Sequence, residues 1–465
     1  MGTKPRAVLL MLLAVLGIAL AGGTARADGA PSGTDVQVAQ TLGARELTVI
    51  IRRVDVTPSP LRVDVVTHQG TAPGTLHLAV AADGVVTSRG DVVLGTEPGV
   101  YPGNLQVDKP GPWELSLNDG SGTTATIPFI VPARVVPPWE KATYGGFVAA
   151  GVFLLLALVV GMKAKRTAFA LIPAGGAVAA IAVAVTGALL SASTPPPPAP
   201  GSQLDPTYDN VTDPYANAQL STVDYSRPPV NLAVKAERGE LTLHFTDGAT
   251  GRPVDDLLIH DNALVHLVLV SPSGRMSHLH PVRVGPGDYR VSVADPEAGT
   301  YTVAAELVRR GGGTQLVRST VDLTGTAAPA PEPPGAGPRT VDGSPVDLTI
   351  TPGTPTTITA HFKTQDLQPW LGMLGHLIVA GPITGQPGTD AAKAPTWAHV
   401  HAMIPPVAGQ LDRPDETVAA YGPDVSFTYT FAAPGRYRIW LQAERGYRVL
   451  TIPAVVDVPT TGAGR

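Results

Sequence analysis

Two imidazoles one residue apart on an extended strand point to the same side, where together they can grip a late first-row metal ion. The sequence offers that spacing twice, as His278-Leu279-His280 and as His399-Val400-His401. Read as a strand, Trp397-Ala398-His399-Val400-His401-Ala402-Met403 sets Trp397, His399, His401 and Met403 on one face and Ala398, Val400 and Ala402 on the other. Small apolar residues suit a packed core, so the His-bearing face is expected to look outward or into a groove. Met276-Ser277-His278-Leu279-His280-Pro281 repeats the arrangement. One more histidine stands upstream of each pair: His266 in Val265-His266-Leu267-Val268 and His376 in Gly375-His376-Leu377-Ile378. Three imidazoles make up most of a copper or zinc site. The candidate metal ligands are therefore His266, His278 and His280 in one copy, and His376, His399 and His401 in the other. Met276, Met373 and Met403 are weaker candidates, thioethers that would favour copper(I). His244 and His361, at equivalent places in an earlier strand, are weaker candidates too. Trp397 could cover an ion by a cation–π contact, although core packing is the commoner role for a tryptophan. The competing reading of either pair is a surface strand that holds no ligand.

The elements that must position these residues come in repeated order. Leu243-His244-Phe245 opens one copy and Ala360-His361-Phe362 the other; the upstream His and the His-x-His strand follow. Gly299-Thr300-Tyr301-Thr302-Val303 and Gly435-Arg436-Tyr437-Arg438-Ile439 then close them. The closing hairpin occurs a third time, as Gly111-Pro112-Trp113-Glu114-Leu115, in a region without His pairs. That first region is an internal control: the fold does not need these histidines. Short apolar runs separated by turns every ten or so residues predict immunoglobulin-like β-sandwiches at 28–140, 229–325 and 343–459, with a linker at 326–342. His260 has Trp370 as its counterpart and reads as structural, while His68 and His77 read as incidental.

Composition narrows the function. Charged residues make up 15% and hydrophobic ones 44%, with 51 Gly and 47 Pro, which favours several small β modules over one large α/β enzyme. The net charge of -5 without a basic patch argues against a nucleic-acid partner. Cys is absent, so any metal site must use His, Met, carboxylate or main-chain donors. No nucleophile elbow, zinc-protease helix or phosphate-cradling loop stands out, and Asp255-Asp256 read as solvated turn acids; a non-enzymatic protein is expected.

Residues 1–27, with Lys4, Arg6, an apolar run and Ala25-Arg26-Ala27, have the order of a secretory signal; an uncleaved anchor is the alternative. Residues 144–162 and 168–192 are apolar, uncharged and each long enough to cross a lipid bilayer. The basic Lys163-Ala164-Lys165-Arg166 between them predicts a cytoplasmic turn, with all three β modules outside the cell membrane. A Pro-rich stalk at 193–228 leads from this hairpin to the His-bearing modules.

Trp370-Leu371-Gly372-Met373-Leu374-Gly375-His376-Leu377-Ile378-Val379, followed by Ala398-His399-Val400-His401, resembles a bacterial envelope module related to the CopC and YtkA-like immunoglobulin-type domains. The resemblance covers the two C-terminal modules. It implies a β-sandwich outside the membrane that is often associated with copper or other heavy metals. CopC-type copper(II) sites commonly recruit an N-terminal His, whereas the start expected here is Asp28-Gly29-Ala30, and Ala402 stands where the module usually has Pro. The reading as a whole is a membrane-anchored, extracytoplasmic protein that binds a copper-type ion. It would buffer the ion or pass it to a membrane protein or metal transporter. The alternatives are a metal-free envelope scaffold and, last, a sensor.

Overall fold

A computed structural model describes residues 35–460, apart from 53, 55, 121, 132–137, 165, 194–227, 311 and 405–414. The expected signal at 1–27 and nearly all of the expected stalk lie outside the described residues. The chain is mainly β, with three immunoglobulin-like sandwiches and two apolar helices.

The helices, Pro138–Lys163 and Leu171–Ser193, form one compact unit, and the β modules form another. Small residues let the helices approach closely. A Cβ on Gly146 would lie 2.8 Å from the Ala180 carbonyl oxygen, and one on Gly187 would lie 2.7 Å from Thr143 Oγ1. Phe147, Leu155, Leu171, Ile172 and Leu189 are exposed, so the outer surface of the pair is apolar. Both helices are long and apolar enough to span a membrane, and only 11% and 17% of the two spans is buried, unlike the core helices of a soluble domain.

The first sandwich stacks Val36–Leu42, Arg45–Ile51, Ser59–Thr67 and Gly99–Val107 on Val85–Leu94, Gly74–Ala82, Gly111–Asn118 and Thr124–Val131. Alternation drives it: in Gly111–Asn118 every second residue, Trp113, Leu115 and Leu117 included, enters the core.

The second and third sandwiches share the topology of one sheet, the site sheet. In each, a four-stranded sheet packs on a site sheet. The second module's site sheet runs Leu257–Leu258, Gly299–Arg309, Val265–Val270, Met276–Leu279, with Gly313–Leu323 also paired to Gly299–Arg309. The third runs Leu367–Gln368, Gly435–Arg445, Gly375–Gly381, Thr396–Ala402, with Arg448–Val458 likewise added. The third module starts earlier than the linker boundary at 342. Gly337–Val341 pairs with Ser344–Thr351 around Asp342-Gly343, whose positive φ angles of 44° and 79° make the hairpin turn.

The two central strands of the site sheets are buried at every residue. One face of each supplies its own core, through Leu267 and Leu269 or Leu377 and Val379. The other faces pack on each other, Val268, Val270, Met276 and Ala304 against Ile378, Ala380 and Trp440. The outer face of each site sheet is thus covered by the other module rather than open to solvent.

Candidate metal centre

Register lines up the donors. In the third module His376 sits opposite His401, and Ile378 opposite His399, so His376, His399 and His401 share a face. In the second, Val268 sits opposite His278, which puts His266, His278 and His280 on the corresponding face. Leu279, Ala398 and Val400 pack on the opposite side, against the module cores. Because the two faces meet, the six rings form one cluster beside the apolar contact. Within each triad one donor atom per residue lies within 4.8 Å of the others.

The outer nitrogen of every ring faces an oxygen acceptor. His266 Nε2 donates to the His260 carbonyl (3.0 Å) and His376 Nε2 to the Trp370 carbonyl (3.1 Å). His278 Nδ1 donates to Gln442 Oε1 (3.0 Å), and His280 Nδ1 to Glu46 Oε1 (2.6 Å). His399 Nδ1 meets Glu306 Oε2 at 3.3 Å, and His401 Nδ1 faces Asp261 Oδ2 at 3.5 Å. Such acceptors hold the proton on the outer nitrogen and leave a lone pair on the inner one.

In that tautomer the inner nitrogens converge as lone pairs. His266 Nδ1 lies 3.2 Å from His278 Nε2, and His376 Nδ1 lies 3.1 Å from His399 Nε2. His401 Nε2 is 3.3 Å from His399 Nε2, and the buried His280 Nε2 has no hydrogen-bond partner. Two lone pairs at such a distance repel unless a cation lies between them. Tetrahedral nitrogens about 2.0–2.1 Å from one zinc-sized ion sit roughly 3.3 Å apart, close to the 3.1–3.3 Å of these three nitrogen pairs.

Electrostatics favour neutral imidazoles. Burial, then the charges of neighbouring histidines, push His266, His278 and His376 well below the usual histidine range. His401 is pushed down to about 4, first by burial and then by His399. Burial alone would raise Glu46 and Glu306, but His280 and His399 hold them below the usual carboxylate range. His266, His278, His376 and His401 are thus neutral donors beside the anions Glu46 and Glu306, which suits a cation.

The outer shell is reciprocal. Glu306 lies opposite His266 in the second module but supports His399 of the third. Gln442 lies opposite His376 in the third but supports His278 of the second. Glu46 comes from the first module, whose Thr41 Oγ1 also accepts the His280 backbone N–H at 2.8 Å. Trp370 packs edge-on against His278, His280 and His376, with ring centroids 5.0–5.8 Å apart.

The other sequence candidates sit elsewhere. His244 pairs with Asp288 (2.6 Å) and His361 with Asp424, both half-exposed and both on the sheet opposite the centre. Met276 packs in the apolar contact, Met403 is exposed, and Met373 is buried where its backbone closes a turn with Trp370. Trp397 is half-buried at the apolar contact, so Trp370 rather than Trp397 covers the rings. His260 contributes its carbonyl, and its ring meets Asp261 at 3.0 Å. His68 is buried against Glu444 (2.6 Å), not incidental. Glu46, Asp261, Glu306 and Gln442 were not singled out from sequence, and Trp370 was named there only as the counterpart of His260 and at the head of the resembling string. For Glu306 and Gln442 a signal existed: each stands seven residues after the repeated Gly, Gly299 and Gly435.

Residues 339–460 match the family model of a domain of unknown function, DUF8832. No curated protein matches the chain. Among solved structures, a tetra-tandem repeat from the extending region of a large adhesion protein is similar at 11% identity. That match covers 91% of this chain and 74% of the other, with a TM-score of 0.16. A two-domain fibronectin type-III segment of chicken tenascin is similar at 12% identity over 50% and 99% of the two chains, with a TM-score of 0.14. Dimeric latent PorU from Porphyromonas gingivalis is similar at 9% identity over 91% and 33%, with a TM-score of 0.15. Likeness this loose says nothing about what the chain does.

Proposed function

We propose that this is a membrane-anchored, extracytoplasmic metal-binding protein that holds one late first-row ion in each histidine triad and buffers it or hands it to a membrane partner. The observation that carries the reading is the convergence of six inner imidazole nitrogens whose outer nitrogens all face oxygen acceptors. Copper is the first choice, since it heads the affinity order for nitrogen donors; zinc is second. The methionines add no reason to prefer copper(I), because Met276 is spent in packing and Met403 faces solvent. A metal-free scaffold would have little use for buried, mutually repelling lone pairs, each costing about 1–3 kcal/mol when unsatisfied. The two helices, long and apolar enough to span a membrane, and the basic sequence Lys163-Ala164-Lys165-Arg166 between them support an anchor with the β modules outside.

Chelator-competition titration of the full chain in detergent with copper and zinc tests this. The expected result is two tight equivalents, one lost in His278→Ala/His280→Ala and the other in His399→Ala/His401→Ala. Weak binding that ignores both pairs would sink the reading.

A further inference from the structure

The triads belong to different modules, yet their rings are as close across the module boundary as within it. Ring centroids are 4.5–5.4 Å apart inside the triads. Across the boundary His278 and His399 are 5.2 Å apart, His266 and His399 5.4 Å, and His278 and His376 5.7 Å. A bound ion lies about 3 Å from the centre of each imidazole that holds it, given metal–nitrogen bonds of about 2.0–2.1 Å. These contacts therefore keep two ions within about 11 Å of each other.

Charge bears on what such a pair would carry with it. Three carboxylates, Glu46, Asp261 and Glu306, face the outer nitrogens of His280, His401 and His399. Among the described residues their partners are histidines and the Thr41 hydroxyl, with no Lys or Arg pairing. Two divalent ions bring one more positive charge than three carboxylates offset, and a buried site does not leave a charge uncompensated cheaply. Each triad also provides only three nitrogens, so an exogenous ligand completes each ion.

We propose that the six histidines form one paired-ion centre, in which two divalent copper-class ions are magnetically coupled and take up a single small monoanion, of the hydroxide class, per pair. This rests on the metal-binding reading and adds to it that the two sites act together. The shared outer shell gives the coupling a second route. Gln442 and Glu306 each orient a ligand of the opposite triad, so filling one triad fixes acceptors that the other uses.

The test is electron paramagnetic resonance of the full chain in detergent, loaded with two equivalents of copper(II) and assayed for bound metal. The pair predicts a half-field transition and an integrated intensity below two spins per two bound copper ions. Azide, as a probe monoanion, should shift the spectrum at one equivalent per chain. His399→Ala, which breaks one triad, should leave one copper with an ordinary isolated spectrum. His244→Ala, outside the centre, should leave the coupled spectrum unchanged. Two bound copper ions that integrate to two full spins, with no half-field transition, would overturn the pairing while leaving metal binding intact. Azide binding at two independent equivalents would overturn the shared anion. Absence of bound copper would overturn the metal-binding reading itself, and the pairing with it.

Discussion

One proton per ring decides whether a buried histidine can serve as a ligand, and here the decision belongs to residues outside the triads. Glu306 and Gln442 hold the outer nitrogens of His399 and His278 from across the module boundary. Loss of such an outer partner typically weakens metal affinity about 10–100-fold. Glu306→Ala should therefore weaken the third module's triad by that factor although Glu306 belongs to the second module, and Glu306→Gln should lose less. Competition titration reads this, and an unchanged affinity in Glu306→Ala would contradict the assigned role. The clustering of the six histidines was legible because their spacing recurs; Glu46 was not, since the first module lies outside the His repeat and its contact with His280 exists only in three dimensions.

At the scale of strands, alternation placed the histidines on one face but misjudged what covers it. Val265-His266-Leu267-Val268-Leu269-Val270 is apolar on both faces, the pattern of a strand buried on both sides, so the signal of a covered outer face was present in the chain. It went unread because small apolar neighbours of His399 and His401 made the His face look like the solvent side. The covering contact is where the modules gain their cohesion. Trp440 is fully buried there and donates its indole N–H to the Gly274 carbonyl at 3.0 Å. Trp440→Ala should cost about 3–5 kcal/mol of stability and loosen both triads, measured by denaturant unfolding and by metal affinity. A change under about 1 kcal/mol would show that this contact does not hold the modules together.

For the whole β unit, metal and pH should act on stability. An ion that binds only the folded state at about 1,000 times its Kd adds roughly 4 kcal/mol, so metal should raise the Tm and a chelator lower it; an unmoved Tm would contradict sites formed only on folding. The first and third modules are joined by a second titrating contact, His68 on Glu444. Burial alone would lower His68, but Glu444 more than offsets it and brings the group up to about 9 from an ordinary 6.5. Its contribution is thus full below pH 6.5 and lost as pH rises through about 9. Burial raises Glu416 from 4.5 to about 7, so its ionisation also costs stability, increasingly so as pH rises from 4.5 towards about 7. Metal-free Tm should fall from pH 6.5 to above 9, and His68→Gln should flatten the upper part of that fall; a flat wild-type profile would contradict the pairing. The central claim, that six imidazoles converge to hold metal, is tested most directly by X-ray absorption on the full chain with two equivalents of copper. The account predicts a first shell dominated by imidazole nitrogens at about 2.0 Å, three per ion. A shell of oxygen alone, without imidazole scattering, would contradict it.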